Sequence, residues 1–447
     1  MSRPIPEPKR SPAFWLWIYQ FLLILFGAGY LAARLARGRG IPGLRLRIGW
    51  YPAPLKQALS ALKRPIWIHL VSVGEVIAAG PFIEELRRRF PDRDWVITTV
   101  TPTGQLLARR LVRGPQDQLL YLPWDLSPVV RRAIRAIRPS FFISFETELW
   151  PVLFDHLSAA GVPVAVVNGR ISPAAYRRYL WIRPFMERSL LPVTLFLTQS
   201  PQDARRYAGI GAAKDRIAVT GNLKWDMAAL EQGSGQNHFR DLLKVPDQAI
   251  LWTAGSTHPG EESLILDVYK RLKARFPVLR LLIAPRHPER VSEVEREAAR
   301  AGYRTVKRSL LGLKTQGSET DPVILLDTVG ELNRVYQVSD LVFVGGSLVP
   351  SGGHNLVEPA AFRRPILTGP HLDNFQAMAE SLTQAGGLVV VQSVQELEER
   401  LARLIADPAT RRQMGDKAYA AIQQHRGATL RTVEMILRYW ERKSSPG

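Results

Sequence analysis

The sequence predicts an α/β protein of two Rossmann-like, doubly wound domains facing a central crevice, preceded by an N-terminal transmembrane helix. Three observations lead there. At 447 residues, 46% hydrophobic and 22% charged, the chain is globular in composition and too long for one ordinary core. From Pro65 onward, short apolar runs alternate with amphipathic stretches in two series separated by a polar lapse, EQGSGQNHF. Such alternation implies crossover connections and parallel sheets covered on both faces. Finally, Phe14–Ala33 carries no charge at all.

That first run (FWLWIYQFLLILFGAGYLAA) contains one amide, Gln20, and matches the roughly 20 residues a helix needs to cross hydrocarbon. Trp15, Trp17 and Tyr19 at one end and Tyr30 at the other read as interfacial anchors. Arg34, Arg37, Arg39, Arg45 and Arg47 outnumber Arg3, Lys9 and Arg10, so the body is expected on the cytoplasmic side of a single-pass span in the inner membrane. Dense arginines past the run also oppose a cleaved signal peptide.

Residues 1–48 are therefore read as anchor and basic juxtamembrane segment, 49–220 as the first domain, 221–246 as a hinge, 247–425 as the second domain, and 426–447 as a closing helix. Strands are expected at Ile66–Val71, Trp95–Val100, Gln118–Tyr121, Phe141–Phe145, Val162–Val167 and Thr194–Thr198. The second series gives Ile250–Ala254, Leu279–Ile283, Pro322–Leu326, Leu341–Val344, Pro365–Thr368 and Leu388–Val391. In the last helix Leu430, Val433, Leu437 and Trp440 fall on one stripe, which should pack against the body.

In doubly wound domains ligands bind beyond the carboxyl ends of the strands. In the second domain those ends bear Ser256 and Thr257, read as caps of a helix starting near Pro259, and Arg286, a guanidinium between prolines suited to phosphate or carboxylate. Lys224, in GNLKWD at the hinge, could reach the same ligand. The stretch LVFVGGSLVPSGGHNLVEPA reads as a strand, a glycine-rich turn with Gly345, Gly346 and Gly353, and a helix near His354–Phe362. Its amides and helix start suit an anion, and Glu358 suits a ribose, with His354 and Asn355 beside it. In the first domain Ser72, Gly74 and Glu75 follow a strand. Glu75 suits either a helix-start carboxylate or a general base, and chemistry alone leaves both open. Glu146 and Glu148 end another strand, one read as facing the crevice, and Asn168 and Arg170 end the next.

The net charge of +20 predicts attraction to anionic surfaces, phospholipid, nucleic acid or acidic substrate. Its arginines are scattered over many helices, and the aromatic and basic segment YRRYLWIRPF reads either as interfacial or as a core helix with a basic face. The absence of cysteine excludes disulfides and thiolate chemistry, and the eight histidines show no paired metal spacing. No P-loop or Gly-x-Ser-x-Gly elbow is present.

SVGE (Ser72–Glu75), TPTG (Thr101–Gly104), ETELWP (Glu146–Pro151), GNLKWD (Gly221–Asp226), GSTHPGEE (Gly255–Glu262), PRHPER (Pro285–Arg290), GGSLVPSGGHN…EPA and GPH…NF together resemble the signature blocks of 3-deoxy-D-manno-octulosonic acid (Kdo) transferases. The resemblance runs in order along the chain, with departures at Val152, Gly169, Ser351, Leu356, Val357 and Asp373. It implies a GT-B glycosyltransferase on the cytoplasmic face of the inner membrane. Such an enzyme would move Kdo from CMP-Kdo to a lipid A precursor with inversion, with no metal or other cofactor and no nucleic-acid partner. Glu75 would be the base, Glu358 would hold the ribose, and Ser256, Gly353, His354 and Asn355 would surround the nucleotide. Two alternatives stand beside it: a membrane-surface GT-B enzyme using a UDP-sugar, and a tethered basic nucleic-acid-binding protein.

Overall fold

The computed structural model describes residues 13–36, 40–230, 236–311 and 321–444. Arg3, Lys9, Arg10, Arg37, Arg39, part of the polar lapse, and the side chains of Tyr30 and Arg34 lie outside the described residues. The chain forms two units, residues 1–226 with 427–447, and residues 227–426.

The first unit holds seven strands: β1 (Ile66–Leu70), β2 (Trp95–Thr99), β3 (Asp117–Tyr121), β4 (Phe141–Phe145), β5 (Val164–Gly169), β6 (Leu195–Thr198) and β7 (Ile217–Val219). They pair in parallel in the order β3-β2-β1-β4-β5-β6-β7, so the winding reverses between β1 and β4. The central strands are buried throughout, as a parallel sheet covered on both faces requires.

Its helices include α1 (Ala13–Ala36), α2 (Val73–Arg89), α3 (Pro151–Ala159), α4 (Pro173–Trp181), α5 (Arg183–Leu190) and α6 (Pro201–Gly209). Ser72, Ser172 and Ser200 cap α2, α4 and α6 by accepting amide hydrogens three residues on. Proline opens α3, α4 and α6, where its missing N–H costs nothing. The C-terminal helix Ala428–Ser444 belongs to this unit, with Trp440 against Phe90 and Phe141. Val433 and Ile436 are buried on it, whereas Leu430, expected on the packing stripe, is 47% exposed. Asp226 caps its start, accepting from the amides of Gly427 at 2.8 Å and Thr429 at 2.6 Å.

Helix α1 corrects the expected transmembrane span: among the described residues, no helix is long and apolar enough to cross a membrane. One stripe of α1 is committed to protein instead. Leu16 is buried, Tyr19 stacks on Phe185 at 5.8 Å, and the Gln20 side-chain oxygen accepts the Ser127 amide at 2.7 Å. The Tyr19 hydroxyl donates to Asp125, which also accepts the amides of Val152 and Leu153 at the start of α3. Phe14, Trp17, Phe21, Leu25 and Phe26 remain exposed.

The second unit repeats the architecture with β8 (Ile250–Thr257), β9 (Leu279–Pro285), β10 (Thr305–Lys307), β11 (Val323–Leu325), β12 (Leu341–Val344), β13 (Ile366–Thr368) and β14 (Leu388–Val390). The order is β10-β11-β9-β8-β12-β13-β14, all parallel, reversing between β8 and β12. Helix α7 (Glu261–Arg275) follows β8, and α8 (Val357–Ala361) follows β12. The helix expected from His354 thus begins at Val357, because the Asn355 side chain accepts the Val357 amide at 3.0 Å and closes a turn first.

Candidate active site

Glu75 lies in the first turn of α2, beyond the end of β1 and therefore at the point where the first sheet reverses. Its backbone and side chain close a capping box: Ser72 Oγ accepts the Glu75 amide, while the carboxylate accepts the Val71 amide at 2.8 Å and Ser72 Oγ–H at 3.1 Å. The helix-start role open in the sequence is thus present. The carboxyl is 7% exposed, and burial followed by the charges of Glu146 and Glu148 pushes it up to about 7, the range of a working base at neutral pH. Gly74 beside it is exposed, and only Ser72 Oγ, at 3.9 Å, lies within 4 Å of where a Cβ would stand.

Glu146 follows β4 with a left-handed backbone, φ 58°. Lys224 Nζ lies 3.0 Å from Glu146 Oε1. The sequence lets Lys224 reach the ligand of Arg286; the residue before it is tied to the first sheet, where Asn168 Oδ1 accepts the Leu223 amide at 3.0 Å. Glu148 is raised by burial and by Glu146. Asn168 is fully buried with φ 56°, at a break in register in β5, and its Nδ2 has no hydrogen-bond partner among the described residues. Arg170 follows, its carbonyl accepting Thr147 Oγ1 at 2.5 Å. Glu75, Glu146, Glu148, Lys224 and Asn168 thus gather at the ends of β1, β4 and β5.

In the second unit the structure places a different anion in the glycine-rich turn. The fully buried Glu261 accepts four amides: His258 at 2.9 Å and Gly346 at 2.7 Å on Oε2, Ser347 at 3.0 Å and Leu348 at 2.9 Å on Oε1. The amide of Gly345 goes to the Gly255 carbonyl. The Gly345 and Gly346 amides expected to hold a ligand are therefore satisfied from within. The glycines serve close approach instead: a Cβ on Gly345 would stand 2.8 Å from Glu261 Oε2, and one on Gly346, at φ 66°, would stand 2.9 Å from His354. A sequence reading of Glu261 as an ordinary first-turn carboxylate gives no sign of this role.

Thr257 also departs from expectation. It caps no helix; it is buried in β8 and donates to Glu262 Oε1 at 3.0 Å, while Glu262 pairs with Arg290 at 2.8 Å. Helix α7 instead begins after the left-handed Gly260. Ser256 interrupts the register of β8 at φ 56°, turned out of the ladder.

Around these lie further polar groups of the same loops. His258 Nε2 and His354 Nε2 are 2.9 Å apart, so one ring donates to the other, and Ser351 Oγ reaches His258 Nδ1 at 3.3 Å. Burial lowers both imidazoles, His354 to about 3, with Arg286 the next cause there, so both rings are neutral at pH 7. Asn355 Nδ2 donates to Glu358 at 3.0 Å, and burial raises the Glu358 carboxyl while Arg286 opposes the shift. Half-buried Arg286 makes no ion pair among the described residues. Gly353 is buried with φ 74° in the same loop. His258 was not singled out in the sequence, although GSTHPGEE contained it.

A family model described as 3-deoxy-D-manno-octulosonic-acid transferase matches residues 43–227. A Haemophilus influenzae 3-deoxy-D-manno-octulosonic acid transferase is 34% identical over 96% of this chain and 99% of its own. One from Bordetella pertussis is 32% identical over 95% and 96%. Among solved structures, a glycosyltransferase from Rickettsia africae is similar at 12% identity and TM-score 0.54, covering 86% of this chain and all of that one. A UDP-GlcNAc 2-epimerase from Neisseria meningitidis, also at 12% identity, gives TM-score 0.55 over 85% of this chain and 100% of its own. The structural likenesses establish a GT-B-like fold only; the sequence relatives carry the rest. This chain belongs to the Kdo transferase family, glycosyltransferases of lipopolysaccharide biosynthesis.

Proposed function

We propose that the chain moves Kdo from CMP-Kdo to a lipid A precursor, lipid IVA, with inversion and without a bound metal. The observation that carries this reading is Glu75, a carboxyl held by two hydrogen bonds and pushed up to about 7. As the acceptor hydroxyl attacks the anomeric carbon from the face opposite CMP, Glu75 takes its proton and the bond to the phosphate breaks. Negative charge develops on the leaving phosphate, where Arg286 is the available cation. His354, Asn355, Ser256 and Gly353 surround the nucleotide, and Glu358 accepts from the ribose. Glu146, Glu148, Asn168 and Arg170 belong to the acceptor side.

The proposed working surface is the cytoplasmic leaflet of the inner membrane, met without a span. The exposed Phe14, Trp17, Phe21 and Phe26 of α1 and Trp181 and Ile182 at the α4–α5 junction belong to elements joined by the Tyr19–Phe185 stack. With a net charge of +20 they suit insertion among anionic headgroups. Nucleic acid has no place in this reading. Incubation with CMP-Kdo and lipid IVA, with and without chelator, followed by product mass, tests it. A product formed only from a UDP-sugar, or lost with chelator, would replace it.

A further inference from the structure

We infer that the first unit carries a phosphate subsite for the acceptor, between α4 and α6. A pocket of about 380 Å³ is lined there by Pro173, Tyr176, Arg177, Gln202, Arg205 and Arg206. Three guanidiniums, an amide and a phenol line it, and no carboxylate does. Arg206 is partly committed, donating to the Ile171 carbonyl at 2.6 Å and lying 3.7 Å from Asp203. Arg177 and Arg205 are exposed and make no ion pair or hydrogen bond among the described residues. Two uncommitted forked donors beside a third present the geometry that a phosphomonoester dianion accepts.

Two neighbours say what carries the phosphate. The helix that supplies Arg177 ends in Leu180 and Trp181, 39% and 90% exposed, with Ile182 following at 47%. A ligand with a phosphate in the pocket thus has apolar surface beside it, which suits a phosphorylated glycolipid better than a free anion. The pocket is also fastened to the candidate site. Asp203 accepts the Ile171 amide at 3.0 Å while Arg206 holds its carbonyl, fixing the loop that carries Arg170 just past Asn168 of β5. Anchoring the acceptor by a phosphate here would present its sugar hydroxyls along that loop. The inference rests on the acceptor proposed above.

The test compares the parent with R177Q/R205Q on lipid IVA and on the same acceptor stripped of phosphate, in detergent. The KM for the phosphorylated acceptor should rise about tenfold, the loss of one or two charge-assisted hydrogen bonds. The KM for CMP-Kdo should not move, parent and variant should coincide on the stripped acceptor, and R177K/R205K should recover part of the loss. Equal losses on both acceptors, or none on the phosphorylated one, overturn the subsite. So does a variant that keeps its acceptor KM but loses binding to phosphatidylglycerol vesicles, which would make these arginines a general headgroup surface. Calorimetric binding of the two acceptors reads the pocket without turnover, so failure of transfer from CMP-Kdo would sink the donor assignment separately.

Discussion

Glu261 Oε2 accepts the Gly346 amide at 2.7 Å, one of four backbone hydrogen bonds drawn to a carboxylate with no solvent exposure. The glycine-rich turn therefore folds around an anion that the chain itself supplies. Glu261→Gln would set a side-chain NH2 against amides that need an acceptor. We expect a loss of about 3 kcal/mol in urea unfolding, in the range for charged hydrogen bonds left unmade. A loss below about 1 kcal/mol would remove Glu261 as organiser of the turn.

The shift of Glu75 has opposite consequences for rate and for stability. A base must be ionised, so kcat/KM should climb as pH rises through about 7 and level off above it. Glu75→Gln should cost about 10²- to 10⁴-fold in turnover and leave CMP binding intact. For stability, the folded carboxyl titrates at about 7 against an ordinary 4.5, so the native state binds more protons across that window. The stability Glu75 contributes is present below 4.5 and is lost as pH rises through 7; relative to the parent, the glutamine variant should gain stability over that span.

Glu146 supplies the second-largest cause of that shift, after burial. Glu146→Gln should move the acid limb of the rate profile to lower pH, since one neighbouring negative charge has gone. An unmoved limb would remove Glu146 as a cause of the shift.

After burial, Arg286 is the next cause lowering the imidazole of His354, and it opposes the rise of Glu358, so its charge is felt across the glycine-rich loop. Arg286→Ala should raise the KM for the sugar donor about tenfold or more, as expected for a charge-assisted contact, and leave the acceptor KM where it was. Steady-state kinetics at varied donor concentration decide it.

Ser256 stands at φ 56°, where a side chain costs about 1 kcal/mol that glycine avoids. Ser256→Gly should raise the thermal midpoint and Ser256→Val should lower it. If the glycine variant gains stability but loses donor affinity, the hydroxyl is used by the ligand; unchanged donor affinity would leave Ser256 a backbone device only.

The sheets were legible because buried parallel strands are written as continuous apolar runs, as in Ile66–Leu70 and Phe141–Phe145. Strands β7 and β10 were not, being three-residue edge strands whose half-exposed side chains leave no such run. Within the site, residue types at strand ends pointed to Glu75, Asn168 and Arg286. What local pattern could not carry was pairing at a distance: Glu261 with residues 346–348, Lys224 with Glu146, and His258 with His354. The N-terminal helix misled for a related reason. Its few polar atoms, Gln20 and the Tyr19 hydroxyl, looked incidental in an apolar run, yet they find Ser127 and Asp125.

Asp226 and Gly427 stand one hydrogen bond apart, at 2.8 Å, where the chain leaves the first unit and where it rejoins it. Everything between them is thus spliced into an otherwise continuous domain at a single seam. A turn of a few residues across that seam would close the first sheet onto its own C-terminal helix, since short gaps cost little closure entropy. No strand of the first sheet lies between the two sides of that seam.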